Sequence, residues 1–306
     1  MDLENGQQVF NELLKNVDSK NSAAFLKWVI QTSEQALKKL TDTTSRSPIL
    51  DQIRSDLRDT LPLEAVLNTE TIIYPNTGDN ADCTKTTTIH VDAFLYDDEA
   101  IDDLVDAGRL SRNYCKQCGS HQVAALTFIS HSMSCTQLQY IFNYMLPNLQ
   151  NKLLVDVGSR VGPVLYGAYL YSDASRIVGV EMNAEFCHLQ QKVIEKYKME
   201  HRVQPPNFLS LPADVVVMNN VFEFFANVEM QKSIQMAAFC RMFKASPYTV
   251  IVKASTVGRK LYLLTELLNG WLMPVNRPEM LIAAEYALFD DHNDSDISEI
   301  YMYSIL

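Results

Sequence analysis

The stretch that decides the fold is LLVDVGSRVG, residues 153–162. Its apolar, β-branched start predicts a buried strand, and Gly158 and Gly162 predict a tight turn that leads into a helix over 161–171. In open α/β sheets, ligands bind outside the carboxyl ends of the strands, next to turns of this kind. The stretch therefore predicts both the fold class and the place of a ligand site.

The rest of the chain after residue 136 repeats this pattern. Short β-branched runs alternate with helix-length periodic segments, which predicts a parallel sheet with helices on both faces. The predicted strands are 153–157, 177–181, 214–218, 249–253 and 299–306. We expect a doubly wound, Rossmann-like α/β domain over residues 136–306.

The first part of the chain has a different character. Apolar residues at helical spacing predict helices from residue 1 to about 70. Pro48 follows a Ser/Thr-rich run and is expected to open a new helix, with Ile49, Ile53 and Leu57 on one apolar stripe.

Residues 75–88 are polar and rich in turn formers, so we expect an exposed loop there. The run DDEAIDDLVD at 97–106 predicts an amphipathic helix with an acidic, solvated face. Residues 1–135 together read as a mostly helical region that selects the substrate or acts as a lid.

The composition restricts the partners. The chain has 26 Lys+Arg against 37 Asp+Glu and a formal net charge of -11. This charge disfavours a protein that coats nucleic acid without sequence preference. The N-terminus lacks the features of a signal peptide, and no run of about 18 apolar residues occurs. We expect a soluble intracellular protein, cytoplasmic or nuclear, while the oligomeric state stays open.

An acidic residue follows the second predicted strand. Glu181 ends IVGVE, where a carboxylate accepts the hydroxyl hydrogen bonds of a ribose. The turn spacing Gly158-x-x-x-Gly162 differs from the G-x-G-x-x-G of dinucleotide sites, and Asp156 would repel a pyrophosphate but can face an ammonium group. These residues together predict a nucleoside-containing cofactor.

At this point the sequence resembles the class I S-adenosylmethionine-dependent methyltransferases, whose first motif is an acid, one residue and a glycine-rich turn. The resemblance covers about residues 136–306. It implies that S-adenosyl-L-methionine is the cofactor, with Glu181 on the ribose and Met182 against the adenine. The residues that it assigns to the methionine portion are Asp156, Gly158, Ser159 and Gly162.

The segment DVVVMNNVFEFF, 214–225, places Asn219 and Asn220 at a predicted strand tip, with Phe222 shortly after. The resemblance implies that these three residues position an amine acceptor, by an amide hydrogen bond and an aromatic wall. The Asn pair with its aromatics also resembles the Dot1-type lysine methyltransferases, which favours a protein amine as acceptor. Ordinary strand-end residues that bond the next turn would give the same pattern.

Two features depart from the pattern of the family. Arg160 stands where the family usually has a second glycine, and a side chain there is strained if the turn needs a positive φ. The interval 202–212 is also short, with NFLSL at 207–211 as the candidate for the third strand. A catalytically inactive methyltransferase-fold scaffold is therefore one alternative.

Two further alternatives stay open. A nucleic-acid base N-methyltransferase would need a basic groove beside Asn219. Cys115, Cys118 and His121 have the spacing of half a zinc site, although free thiols in a turn fit equally well and no metal is assigned as a cofactor.

Overall fold

The computed structural model describes residues 3–74, 82–116, 123–204, 213–219, 249–253, 272–275, 281–282, 284, 288, 297–298 and 300–305, with the backbone alone at 3–4, 31–47, 249–253, 272 and 305. The chain divides into two compact units, Met1–Pro48 and Ile49–Leu306. The functional boundary expected near residue 135 stays a prediction.

The helices whose bounds lie within the described residues differ widely in length. Their bounds are α1 Leu3–Asn16, α2 Ser22–Arg58, α3 Asp98–Asp106, α4 Cys135–Gln139, α5 Pro163–Tyr171 and α6 Ala184–Lys196. A π-helix, Tyr140–Met145, continues α4. No helix in the described part of the chain is both long and apolar enough to cross a membrane.

One prediction about the first helices is wrong. Helix α2 runs through Pro48 instead of starting there. After Pro48 the buried stripe is Leu50, Ile53 and Leu57, while Ile49 is exposed. Burial of these three side chains stabilises the end of α2, although proline donates no backbone hydrogen bond. The acidic helix α3 is confirmed, and the Asp97 side chain caps it by accepting from the Ala100 amide at 3.0 Å.

Within the described residues, the strands form one large sheet and two small ones. Their bounds are β1 Thr88–His90, β2 Asn113–Cys115, β3 Val123–Ala125, β4 Thr127–Ile129, β5 Leu153–Val157, β6 Arg176–Val180, β7 Val203–Gln204, β8 Val215–Asn219, β9 Thr249–Lys253, β10 Leu272–Pro274 and β11 Ile300–Ile305. The large sheet has the order β10-β11-β9-β8-β5-β6-β7, in which β11 is antiparallel to both of its neighbours. The predicted doubly wound α/β class is confirmed.

The edge of this sheet differs from the prediction. The third strand is β7, which pairs in parallel with β6 through only two residues. The expected strand at 207–211 lies outside the described residues. The pairs β1–β4 and β2–β3 lie in the region expected to be mostly helical, and their three-residue strands are too short for a clear sequence signal.

A single apolar core joins the sheet to the chain that precedes it. Ile53 and Phe94 belong to the same buried cluster as Leu154 and Val217. The residues after Pro48 therefore pack onto the sheet domain, and some of them reach the carboxyl ends of its strands.

Candidate functional site

The strand order places a switch point at β5. The chain runs outward from β5 to β6 and β7 and then returns to β8 on the other side of β5. In register, Val157 lies opposite both Val180 and Met218. The residues that follow are Gly158, Glu181 and Asn219, so three predicted site residues lie along one edge, where ligands of such sheets bind.

The turn after β5 uses left-handed backbone conformations. The φ angles are 78° at Gly158, 43° at Arg160 and 90° at Gly162. Glycine adopts such angles freely, whereas Arg160 has a Cβ and is strained by about 1–2 kcal/mol. The positive φ under which strain was expected at this residue is therefore present.

The amides of the turn point to the end of β6. Gly158 and Ser159 donate to the Val180 carbonyl at 2.7 and 3.1 Å, and the Arg160 amide donates to Glu181 Oε2 at 2.8 Å. The turn is therefore fixed directly onto the tip of the second strand.

Glu181 accepts two further amide hydrogen bonds. The amides of Met182 and Asn183 both donate to its Oε1 at 2.8 Å. A carboxylate offers about four acceptor sites, and backbone amides occupy three of them. To accept both ribose hydroxyls, Glu181 would have to release or share at least one amide. Met182 beside it is 73% exposed, so an adenine could reach this side of the edge.

Asp156 has the opposite environment. Its side chain is buried, and the residue is 2% exposed. Burial first, and the charge of Glu181 second, raise the pKa of Asp156 to about 8. The group is therefore mostly protonated near neutral pH, and a neighbouring cation would favour its ionised form.

A buried glutamine holds the turn from below. Gln190 of α6 donates from Nε2 to Ser159 Oγ at 2.9 Å and to the Arg160 carbonyl at 2.5 Å. The side chains of Ser159 and Gln190 are fully enclosed. The sequence did not lead us to Gln190. The available signal was a polar residue among the apolar residues Phe186, Val193 and Ile194 of one helix, which are all buried.

The last glycine of the turn makes room for a tyrosine. A Cβ added to Gly162 would lie 2.6 Å from the ring of Tyr166, one turn along α5. The Tyr166 hydroxyl is buried and has no hydrogen-bond partner in the described structure, and burial raises its pKa. Gly162 is therefore required both for its φ and for close packing.

Asn219 lies at the tip of β8. Its Nδ2 donates weakly to the His131 carbonyl at 3.4 Å, and its Oδ1 is buried with no hydrogen-bond partner among the described residues. An amide oxygen in this position can accept a hydrogen bond from an N–H group. The other two predicted acceptor residues, Asn220 and Phe222, lie outside the described residues.

Polar side chains before β5 lie next to this tip. His90 Nδ1 and His131 Nε2 are 2.9 Å apart, and Ser132 Oγ donates to Asp92 Oδ2 at 2.5 Å. Burial, followed by the charge of Arg160, lowers the pKa of both histidines. Both effects therefore favour the neutral form of the two imidazoles.

The structure describes one of the three residues of the predicted half zinc site. Cys115 is exposed, and no group of three or more potential metal ligands occurs among the described residues. Cys118 and His121, the other members of the predicted half-site, lie outside them.

Comparison with known proteins gives partial structural likeness alone. No protein-family model and no curated protein matches the sequence. A structure of MccD protein has a TM-score of 0.37 and 10% identity, covering 56% of this chain and 96% of its own. Precorrin-6y C5,15-methyltransferase from Geobacter metallireducens GS-15 has a TM-score of 0.35 and 17% identity, covering 56% and 85%.

A third similar structure is a SAM-dependent methyltransferase from Aquifex aeolicus, with a TM-score of 0.32 and 11% identity, covering 52% of this chain and 82% of its own. The strand order of this chain, with the glycine turn after β5, is that of the doubly wound, Rossmann-like α/β fold that the sequence predicted. None of the three structures is described as Dot1-type, so that closer likeness stays a prediction.

Proposed function

We propose that the chain is an S-adenosylmethionine-dependent methyltransferase that methylates an amine, with a protein side chain as the acceptor. The observation that carries the proposal is the arrangement along one sheet edge: the glycine turn, Glu181 and Asn219 follow three adjacent strands in register. The Glu181 carboxylate, which can bind a ribose, lies on one side of the glycine turn, and the Asn219 amide oxygen lies on the other. This arrangement suits a cofactor and a methyl acceptor that meet between the two side chains.

Each residue has a role that its chemistry supports. Glu181 would accept the ribose hydroxyls, and Met182 would contact the adenine. Asp156 would face the α-ammonium group of the cofactor, which would favour ionisation of its carboxyl group. Gly158, Ser159 and Gly162 would let the backbone approach the methionine portion.

The bound cofactor would supply a methyl group on a sulfonium, which a nucleophile attacks in line. A neutral acceptor amine would form the N–C bond with its lone pair, the electrons of the C–S bond would leave with S-adenosylhomocysteine, and the methylated ammonium group would lose a proton to solvent. Asn219 Oδ1 would accept a hydrogen bond from the amine and direct its lone pair. The protein thus contributes mainly proximity and alignment.

A basic protein acceptor fits the charge of the chain. Helix α3 exposes Glu99, Asp102 and Asp103, and the net charge is -11. An acidic surface attracts a lysine-rich segment and repels free nucleic acid.

A transfer assay with tritiated S-adenosylmethionine on fractionated cell extract tests the proposal. We expect label in protein, and we expect Asn219→Ala to lose most of that transfer because the acceptor amine loses its hydrogen-bond partner. Asn151→Ala, which changes an exposed asparagine at a surface turn, is the control. Label in RNA or in small molecules alone would contradict the proposed acceptor, and no label in any fraction would contradict the proposed reaction.

A further inference from the structure

The segment 61–74, here called the strap, crosses the proposed cofactor site. It follows α2 and contacts the loops after both β5 and β6. The Ala65 carbonyl accepts from Arg160 Nη2 at 2.8 Å, and Thr69 Oγ1 accepts from Asn183 Nδ2 at 2.9 Å. The strap therefore bridges the two loops that would hold the cofactor.

The strongest of these contacts is an ion pair. Glu70 Oε1 accepts from Arg160 Nη1 at 2.5 Å, and the two side chains are 10% and 6% exposed. The Arg160 guanidinium also lies over the ring of Phe186, 4.8 Å from its centroid. Breaking a buried pair leaves a charge without compensation, which is strongly unfavourable. The pair thus acts as a latch between the strap and the glycine turn.

Apart from Ala65 and the ion-paired Glu70, the strap residues are half-buried or exposed. Leu61 and Leu67 pack, partly buried, against the apolar core. Ala65 has a φ of 46°, so non-glycine residues on both sides of the Ala65–Arg160 contact adopt left-handed conformations. Segments with few buried contacts and stored strain open locally at low free-energy cost.

The two ends of the proposed site differ in access. Asp156, Ser159 and Arg160, at the end assigned to the methionine portion, are at most 5% exposed. At the nucleoside end, Met182 is 73% exposed. An adenosine group could therefore reach its end while the strap is shut, whereas the methionine portion could not.

We propose that the strap gates the methionine end of the cofactor site and is held shut by the Arg160–Glu70 ion pair. The inference rests on the proposed function, because it concerns the same site. The gate opens when the pair parts. The carboxylate of the cofactor's methionine portion then replaces Glu70 as the anion beside Arg160, so the buried cation is not left uncompensated.

Two ligands that share the thioadenosine group test the gate. S-adenosylhomocysteine carries the amino-acid portion, and 5′-methylthioadenosine lacks it. We expect Glu70→Gln to tighten the binding of S-adenosylhomocysteine about tenfold, because the weaker latch raises the open fraction, and to leave 5′-methylthioadenosine binding unchanged. Hydrogen exchange of the amides at 61–74 should be faster in this variant without ligand.

The control is Glu64→Gln, which makes the same change at an exposed strap residue outside the ion pair and should change none of these quantities. If Glu70→Gln fails to fold, Glu70→Asp keeps the charge, shortens its reach and should shift the same quantities in the same direction. Equal shifts for both ligands, or an unchanged affinity for S-adenosylhomocysteine, would overturn the gate and leave the proposed function standing. Failure of both ligands to bind the wild type and Glu70→Gln would overturn the gate and the proposed function together.

Discussion

Replacing Asp156 with asparagine tests how burial acts on the acid at the end of β5. Burial and the nearby Glu181 raise the pKa of Asp156 from 3.8 to about 8. The folded state therefore binds this proton more tightly than the unfolded chain does. The contribution of Asp156 to the free energy of unfolding is fully present below about pH 4 and is lost as the pH rises to about 8. A tenfold change in proton affinity corresponds to about 1.4 kcal/mol, so the free energy of unfolding falls by at most about 6 kcal/mol over this pH range because of Asp156.

Asparagine has a similar shape and carries no charge at any of these pH values. We expect the free energy of unfolding of Asp156→Asn to be close to that of the wild type near pH 4 and to exceed it by several kcal/mol near pH 9. Urea unfolding of both proteins across this range measures the difference, in which the other titrating groups cancel.

Asp173→Asn, at an exposed position, is the control and should show no gain that depends on pH. If Asp156→Asn is no more stable than the wild type near pH 9, Asp156 is not a buried acid that resists ionisation, and the account of this end of the site is refuted.

Three further substitutions test the glycine turn. Arg160→Gly should lower the free energy of unfolding by about 3 kcal/mol because Glu70 stays buried without its partner, and adding Glu70→Gln should restore much of the loss in urea unfolding. Gly162→Ala should lower the melting temperature more than Gly108→Ala. Both glycines have positive φ, but only the Cβ added at Gly162 lies 2.6 Å from the Tyr166 ring. Equal losses in melting temperature would contradict the close packing. Gln190→Met should cost about 1–3 kcal/mol in thermal unfolding, because buried polar groups of the turn lose their partner; an unchanged stability would refute its supporting role.

The parts of the site that could be predicted are those that have a recognisable residue pattern within a short stretch of sequence. β-Branched runs that end in Asp156 and Glu181 predict strands and their tips, since a strand of a parallel sheet is a short apolar run bounded by turn residues. The strain at Arg160 could also be predicted, because a turn built on Gly158 and Gly162 leaves little choice of φ at the residue between them.

The contacts that cover the site have no such signal. Glu70 and Arg160 are 90 positions apart, and neither residue's neighbours in the sequence indicate the pairing. The strand β7 has only two residues and was missed for the same reason that β1 and β4 were: a short strand is defined by its partner and not by its own pattern. Helix α2 continues past Pro48 because tertiary burial outweighs a local signal.

We expect this sheet edge to bind S-adenosylmethionine through Glu181. Calorimetric titration of the wild type, Glu181→Ala and the exposed control Glu185→Ala with S-adenosylmethionine measures this binding. The wild type and Glu185→Ala should bind with similar affinity, and Glu181→Ala should bind at least about tenfold more weakly, a loss of about 1.4 kcal/mol. Equal affinity of all three proteins, or no binding to the wild type at millimolar cofactor, would contradict this expectation.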